Sequence, residues 1–319
     1  MNFRGTISIK KEKSILFKQS YGYADVANQR KNQRETKFAT ASAGKVFVAV
    51  GILQLIEQKK LHFDDTIGQI LTIDWQQIDT TITIRELLTH TSGIPDYFDE
   101  SVMSDYDELW TDYPNYKIRS SQDLIPLFIH KPMMYPRGAK FQYNNTGFVV
   151  LGLIIEAITH QSFDEYLQQH VFNVAQMPST GYYELDCLPA NCANHYVYDE
   201  KRQRYVTNIY SVDVKGTGAG GAFTTVDDIE AFWEALLGYR LLSKEMTDEM
   251  LRVQARNDQD HYGYGIWLTE ESIPYFCGSD PGVSFMSSYD VNTKTIVTLF
   301  SNFSDNVWSL HREIRESLS

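Results

Sequence analysis

Thr40–Leu61 reads TASAGKVFVAVGILQLIEQKKL, and the organisation of the whole chain follows from how this stretch is read. Val46, Val48, Ala49, Ile52, Leu55 and Ile56 recur at roughly helical spacing, which predicts a helix buried on a broad face. It closes on lysines, as the macrodipole favours at a C-terminus. With Ser42 at the start of that helix, its backbone N–H and hydroxyl sit at the positive end of the dipole. Residues i and i+3 share a helix face, so the Lys45 amine can reach the Ser42 hydroxyl. A lysine desolvated there has a lowered pKa and accepts the serine proton. Four residues thus supply a nucleophile and its base.

The S-x-x-K spacing alone carries little, because chance supplies it about once in a chain this size. Ser8-Ile9-Lys10-Lys11 also matches. Those residues fall in a predicted strand, where positions i and i+3 point to opposite faces and cannot meet. Tyr143-Asn144-Asn145 adds weight to Ser42. It sits in a tight turn ahead of the apolar run Gly147–Gln161, where Tyr143 can shuttle a proton to a leaving group and Asn145 can donate to a substrate carbonyl. The plainer alternatives stay open: Tyr143 as a packed helix-start residue, Asn145 as an N-cap. Tyr113-Pro114-Asn115 has the same spacing but lies in an irregular region with no helix behind it.

Working outward, Gly5–Ala24 reads as two strands around a charged turn. From about Leu61 to Val214 the pattern is mostly helices and long loops. Thr83–Gly93 forms a short helix stopped by Gly93 and Pro95, and Pro95–Arg119, rich in Asp, Tyr and Trp, reads as a loop or lid. Phe163–Asn173 is amphipathic. Beyond Val214, a glycine-rich turn precedes the helix Val226–Gly238, capped by Thr224 or Thr225. Gly263–Leu268, Tyr275–Asp280, Val283–Asp290 and Thr295–Asn302 follow as strands, with Asp290–Lys294 as a hairpin turn and Val307–Leu318 as an amphipathic helix. Strands at both ends with helices between predict a sheet domain from 1–60 and 215–319, a mainly helical domain over 61–214, and an active site between them.

The 319 residues, 43% hydrophobic and 22% charged, are enough for a sizeable core without disulfides or metals. A net charge of -12 argues against general affinity for nucleic acid or an anionic membrane. Cys187, Cys192 and Cys277 are an odd number with no paired spacing, which predicts reduced thiols, although a short bridge between the first two stays open. The start, MNFRGTISIKKEK, has lysines but no apolar core of a leader, and the longest apolar run, Phe148–Ile155, is too short to cross a bilayer. As it stands, the sequence predicts a soluble, cytoplasmic chain; an export signal further upstream would change that.

TASAGKVFVAVGILQLIEQKKL, LLTHTSGIPDY, YPRGAKFQYNNTGFVVLGLIIE and GTGAGGAFTTVDDIEAF resemble successive blocks of the serine β-lactamase-like family. That family comprises class C β-lactamases, D-Ala carboxypeptidases, D-aminopeptidases and related esterases. The blocks run in family order from about Gly5 to Asn302. The resemblance implies an α/β fold of the β-lactamase/transpeptidase type, a mostly antiparallel sheet flanked by helices with an inserted helical domain. It implies an acyl-enzyme on Ser42, Lys45 and Tyr143 as the base pair, Asn145 in contact with a small-molecule or short-peptide substrate, and no cofactor. A non-catalytic or slowly deacylating sensor on the same scaffold is the alternative.

The family's third motif, a Lys or His, any residue, then Gly, aligns through Pro281-Gly282 with Phe276-Cys277-Gly278. Gly278 lets the strand pass close to substrate, and the Ser279 N–H can complete an oxyanion hole with that of Ser42. Phe276 replaces the cationic side chain and cannot pair with a substrate carboxylate. The expected substrate is therefore an ester or amide with an apolar acyl group rather than a penicillin or a D-Ala-terminated peptide.

Three further signals are weaker. Gly216–Gly221 fits G-x-G-x-x-G, but NIYSVDVK before it is a poor buried strand and the next twenty residues form a helix and its exit, so a turn at the back of the cleft is expected. His90, at a helix end, is expected to be a satisfied structural residue. No G-x-S-x-G elbow and no H-E-x-x-H or other metal spacing is present, so no catalytic metal is expected.

Overall fold

The computed structural model describes residues 3–103 and 106–318; Ser104 and Asp105, inside the expected lid stretch, lie outside the described residues. Its centre is an eight-stranded antiparallel sheet drawn from both ends of the chain. The hairpin Gly5–Lys11 and Ser14–Tyr21 pairs with the C-terminal strand Thr295–Ser301, Gly5 opposite Ser301 and Lys11 opposite Thr295. Val283–Asp290, Pro274–Asp280 and three two-residue strands, the outermost Ala255–Arg256, complete it.

Period-two alternation decides what each face of the sheet does. In Thr295–Ser301, Val297 and Leu299 join Phe3, Ile7 and Val307 in a small core beneath the C-terminal helix Val307–Leu318. Ile296 and Phe300 point the other way, into the main core with the helices Lys45–Glu57 and Val226–Leu237. The strand is buried along its whole length for this reason.

Lys45–Glu57 is buried on every side from Lys45 to Leu55, more fully than the broad apolar face predicted. Phe47 meets Phe172, Phe232 and Phe276 edge-on. A helix apolar all round is a central one. It ends at Glu57, just ahead of the lysines. Asn145–Thr159 packs beside it; its N-cap is Asn144, whose Oδ1 accepts from Gly147 N at 2.7 Å, so the cap lies one residue before Asn145. Phe163–Asn173 is helical with a π turn over Gln168–Phe172. Thr225 caps Val226–Leu237, and Thr83 caps the short helix Ile84–Leu88.

The decoy motifs have structural jobs. Ser8 is buried and donates to Glu230 Oε1 at 2.6 Å. Asn115 donates to the carbonyls of Ile209 and Val212 at 2.8 and 2.7 Å. Cys187, Cys192 and Cys277 are free thiols. Among the described residues no single helix is long and apolar enough to cross a membrane.

Candidate active site

Ser42 lies in a 3-10 turn, Ala41–Gly44, that runs directly into the helix beginning at Lys45. The serine therefore sits just before the α-helix rather than on its first turn. Ala41 holds a left-handed backbone, φ 48°, a conformation a non-glycine residue keeps only when its surroundings impose it. Here Gly221 N donates to Ala41 O at 3.0 Å. At Gly220, φ 146°, any Cβ would lie 2.2 Å from Ala41 O. The glycine-rich turn Gly216–Gly221 is thus the surface against which the serine turn is moulded, and the turn lines the cleft as expected.

Lys45 is 3% exposed. Its Nζ donates to Ser42 Oγ at 3.0 Å, to Asn145 Oδ1 at 2.8 Å and to Ala219 O at 2.6 Å. Burial pushes its pKa down to about 8 against the pull of Glu100, Asp96 and Asp280. Two N–H groups are committed to fixed acceptors, so when neutral the amine turns its lone pair toward the Ser42 hydroxyl. Ala219, which supplies the shortest of these contacts through its backbone, carries no side-chain signal in the sequence.

Tyr143 packs its ring flat against Trp267, centroids 5.8 Å apart, and lies 4.9 Å from Lys45 Nζ. Burial holds its phenol well above the ordinary range, Glu100 adds to this, and a hydrogen bond with Ser42 opposes it. A phenol so placed stays protonated at neutral pH and acts as a donor.

Asn145, expected to face a substrate carbonyl, lines the cleft and is also engaged within the protein. Its Oδ1 accepts from Lys45 Nζ at 2.8 Å, and its Nδ2 donates to Phe98 O at 3.0 Å and Glu100 Oε1 at 3.3 Å. Asp96 accepts from the free N–H groups of Asn145 and Thr146 at 2.8 and 3.1 Å, as suits a carboxylate at a helix N-terminus. His90 is buried; its Nδ1 accepts from Asn144 N at 3.2 Å and its ring packs at a tilt against Tyr143, centroids 4.6 Å apart, while Nε2 has no hydrogen-bond partner among the described residues. Burial pushes its pKa well down, so this neutral ring braces the Tyr143 turn.

The third-motif strand divides. Gly278 runs against the serine turn: a Cβ there would fall 2.3 Å from Thr40 O and 2.7 Å from Ser42 N. Ser279 lines the same cleft as Ser42. Phe276, read from the sequence as a substrate-facing residue, does not reach it. Its ring is 2% exposed, inside a cage of Phe47, Phe232, Trp233 and Phe285. The parity of the strand gives it Gly278's face, but two residues deeper, under the helices.

The cleft encloses about 530 Å³. Tyr97, Phe98, Glu100, Met103 and Tyr106 from the expected lid stretch form one wall, and Asp213, Ser279 and Asp280 lie on others. Three carboxyl groups, Glu100, Asp213 and Asp280, thus line a cleft that also presents aromatic and aliphatic side chains. Burial, reinforced by the neighbouring acid, pushes Asp280 up to about 8, and burial pushes Asp213 up to about 7.

A serine at the mouth of a central helix, a buried lysine bonded to it and an antiparallel strand alongside make up the site, and similarity to known proteins places the chain in a family. The Beta-lactamase family profile matches residues 7–316, and the chain belongs to that family. The crystal structure of a penicillin binding protein from Bacillus halodurans superposes with a TM-score of 0.95 at 39% identity, covering 99% of this chain and 97% of that one. Penicillin-binding protein 4* of Bacillus subtilis (strain 168) is 28% identical over 325 residues, 95% of this chain and 69% of that protein. The teichoic acid D-alanine hydrolase of Staphylococcus aureus is 24% identical over 312 residues, 95% of this chain and 71% of that protein. The fold is that of the penicillin-binding and β-lactamase-like proteins.

Proposed function

We propose that the protein is a serine hydrolase that cleaves an ester or amide through an acyl-enzyme on Ser42. Neutral Lys45 takes the Ser42 proton as Oγ bonds to the carbonyl carbon. The oxyanion is held by the backbone N–H groups of Ser42 and Ser279. As the carbonyl re-forms, the bond to the leaving group breaks, and that group takes a proton relayed from Lys45 through the Tyr143 phenol. Water then adds to the acyl carbon, its proton passing to Lys45, and the acid departs with Ser42 reprotonated. Asn145 acts as a positioning residue for Lys45, and the site lies between a sheet unit of 1–60 and 215–319 and a helical unit of 61–214.

The observation that carries this reading is the 3.0 Å contact between buried Lys45 and Oγ of Ser42, a residue that lines the cleft. Its test is turnover of p-nitrophenyl butyrate. Wild type hydrolyses it, and Ser42→Ala reduces kcat/KM by about 10³-fold or more; equal rates in the two proteins remove the reading. A second reading, acylation without useful deacylation, is favoured by the 39% identity to the penicillin binding protein of Bacillus halodurans. A stoichiometric burst with no steady-state rate would select it.

A further inference from the structure

Resting on the proton relay through Tyr143 in that reading, we infer that Trp267 is a positioning residue for the Tyr143 phenol and so sets which leaving groups the enzyme can expel. The first ground is the weak polar restraint on the phenol. Its oxygen shares a hydrogen bond with Ser42, and this is the bond it must exchange when it turns to the departing group. Lys45, by contrast, is held by Asn145 and Ala219 as well as by Ser42. The aim of the Tyr143 ring is therefore set by what packs on it.

The second ground is that packing. His90 meets the ring at a tilt of 46°, centroids 4.6 Å apart, and Trp267 lies within 17° of parallel to it at 5.8 Å. Both neighbours are themselves fixed. His90 accepts from Asn144 N, and Trp267, on the short strand Trp267–Leu268, pairs with Tyr262 on one side and Tyr275 on the other. The Tyr262 ring stands edge-on to the indole at 4.7 Å, and the Tyr275 ring lies near-parallel to it at 6.3 Å. Phe141, two residues before Tyr143, also meets the indole edge-on, at 6.0 Å. Stacked and edge-on rings have preferred geometries, so the indole ties the phenol to the sheet.

The third ground is where Trp267 is not. It is absent from the described residues that line the Ser42 cleft. It lines instead a groove of about 580 Å³ with Tyr275, Cys277 and Trp308. Strand alternation puts Tyr275 and Cys277 on the face opposite Gly278, the face covered by the C-terminal helix. The indole thus acts on the reaction through Tyr143 and not through substrate.

The chemistry makes that action selective. As the C–O bond of the tetrahedral adduct breaks, the leaving oxygen takes the electron pair and a proton from the phenol. The Lys45 ammonium, formed when Ser42 was deprotonated, returns a proton to the phenol and ends neutral. p-Nitrophenolate departs as the anion with little need of this proton, whereas an alkoxide requires it. Slack in the Tyr143 ring therefore penalises basic leaving groups most.

The test measures kcat/KM for p-nitrophenyl, phenyl and benzyl butyrate, which share an acyl group and differ in the basicity of the group expelled. Trp267→Leu should lower the benzyl ester by about 10²-fold and the p-nitrophenyl ester only several-fold, so that their ratio falls by about tenfold or more. Trp267→Phe keeps a flat ring and should restore most of the ratio. Tyr143→Phe should show the same leaving-group pattern, and adding Trp267→Leu to it should move the ratio no further. Tyr275→Leu removes a ring that packs on the indole; it should shift the ratio in the same direction by a smaller factor, and it serves where Trp267→Leu does not fold. A uniform loss across the three esters, an unmoved ratio, or a further fall in the double variant overturns the inference and leaves acylation of Ser42 standing. Wild-type rates in Ser42→Ala, or no alcohol or phenol released from any ester even in a first turnover, remove the hydrolase reading and the inference with it.

Discussion

Lys45 Nζ donates to the backbone carbonyl of Ala219 at 2.6 Å, and this bond does more to define the lysine's role than its spacing from Ser42. With Asn145 Oδ1 it fixes two of the three directions around the nitrogen, leaving the third for Ser42 Oγ. A lysine held by one partner swings; one held by two is aimed.

The pH dependence follows from that burial. Lys45 must be neutral to accept a proton, and burial lowers its pKa to about 8 while Glu100, Asp96, Asp280 and Cys277 pull it up; buried His90 faces it uncharged. On p-nitrophenyl butyrate, kcat/KM should therefore rise with pH through about 8 and then level. Glu100→Gln removes a charge that favours protonated lysine, so its rising limb should move to lower pH. A profile flat between about pH 6 and 10 would count against Lys45 as the base.

Asn145 separates positioning from substrate contact. Asn145→Ala removes an acceptor from an ammonium, a loss of about 1.5–3 kcal/mol, and should lower kcat by about 10- to 100-fold with KM little changed. Asn145→Asp puts a carboxylate in the 2.8 Å contact and holds the lysine protonated, so activity lost at neutral pH should return as pH rises. Steady-state kinetics across pH read both; a change confined to KM would assign Asn145 to substrate instead.

Phe276 tests how the third motif is built. Deleting a ring packed among Phe47, Phe232, Trp233 and Phe285 should cost about 3–5 kcal/mol in urea unfolding of Phe276→Ala. Phe276→His restores the family's residue type but points it into the core, so it should destabilise the fold and leave hydrolysis of a cephalosporin no faster. A gain in cephalosporin turnover would mean the side chain reaches the cleft.

Gly278 tests the close approach of strand and nucleophile. A Cβ there meets Thr40 O at 2.3 Å, so Gly278→Ala must push the strand from the serine turn. Displacement of the oxyanion donor on that scale should reduce kcat by about 10²-fold. Melting temperature should report a smaller loss than the activity does; unaltered kcat would separate this strand from the chemistry.

Part of this site was legible because its signals are local. Ser42 and Lys45 lie one turn apart, and the decoy at Ser8 was separable because a strand cannot bring its i and i+3 side chains together. The sheet from both chain ends followed from strand-like alternation at each terminus. Other features are products of tertiary structure. Glu100, Asp213 and Asp280 come from three distant segments with no common pattern, and only the folded chain places them in one cleft. The Ala219 carbonyl is backbone, which no residue type announces. Phe276 falls at the first position of the third motif as read from the sequence, yet which helices cover that stretch of strand decides whether the position meets substrate or core.

The central claim is that Ser42 is acylated, and intact mass spectrometry tests it most directly. Wild-type protein treated with a fluorophosphonate should gain one adduct that peptide mapping places on Ser42, with labelling accelerating as pH passes about 8 and absent in Ser42→Ala. An adduct on any other residue, or labelling of Ser42→Ala at the wild-type rate, would contradict it.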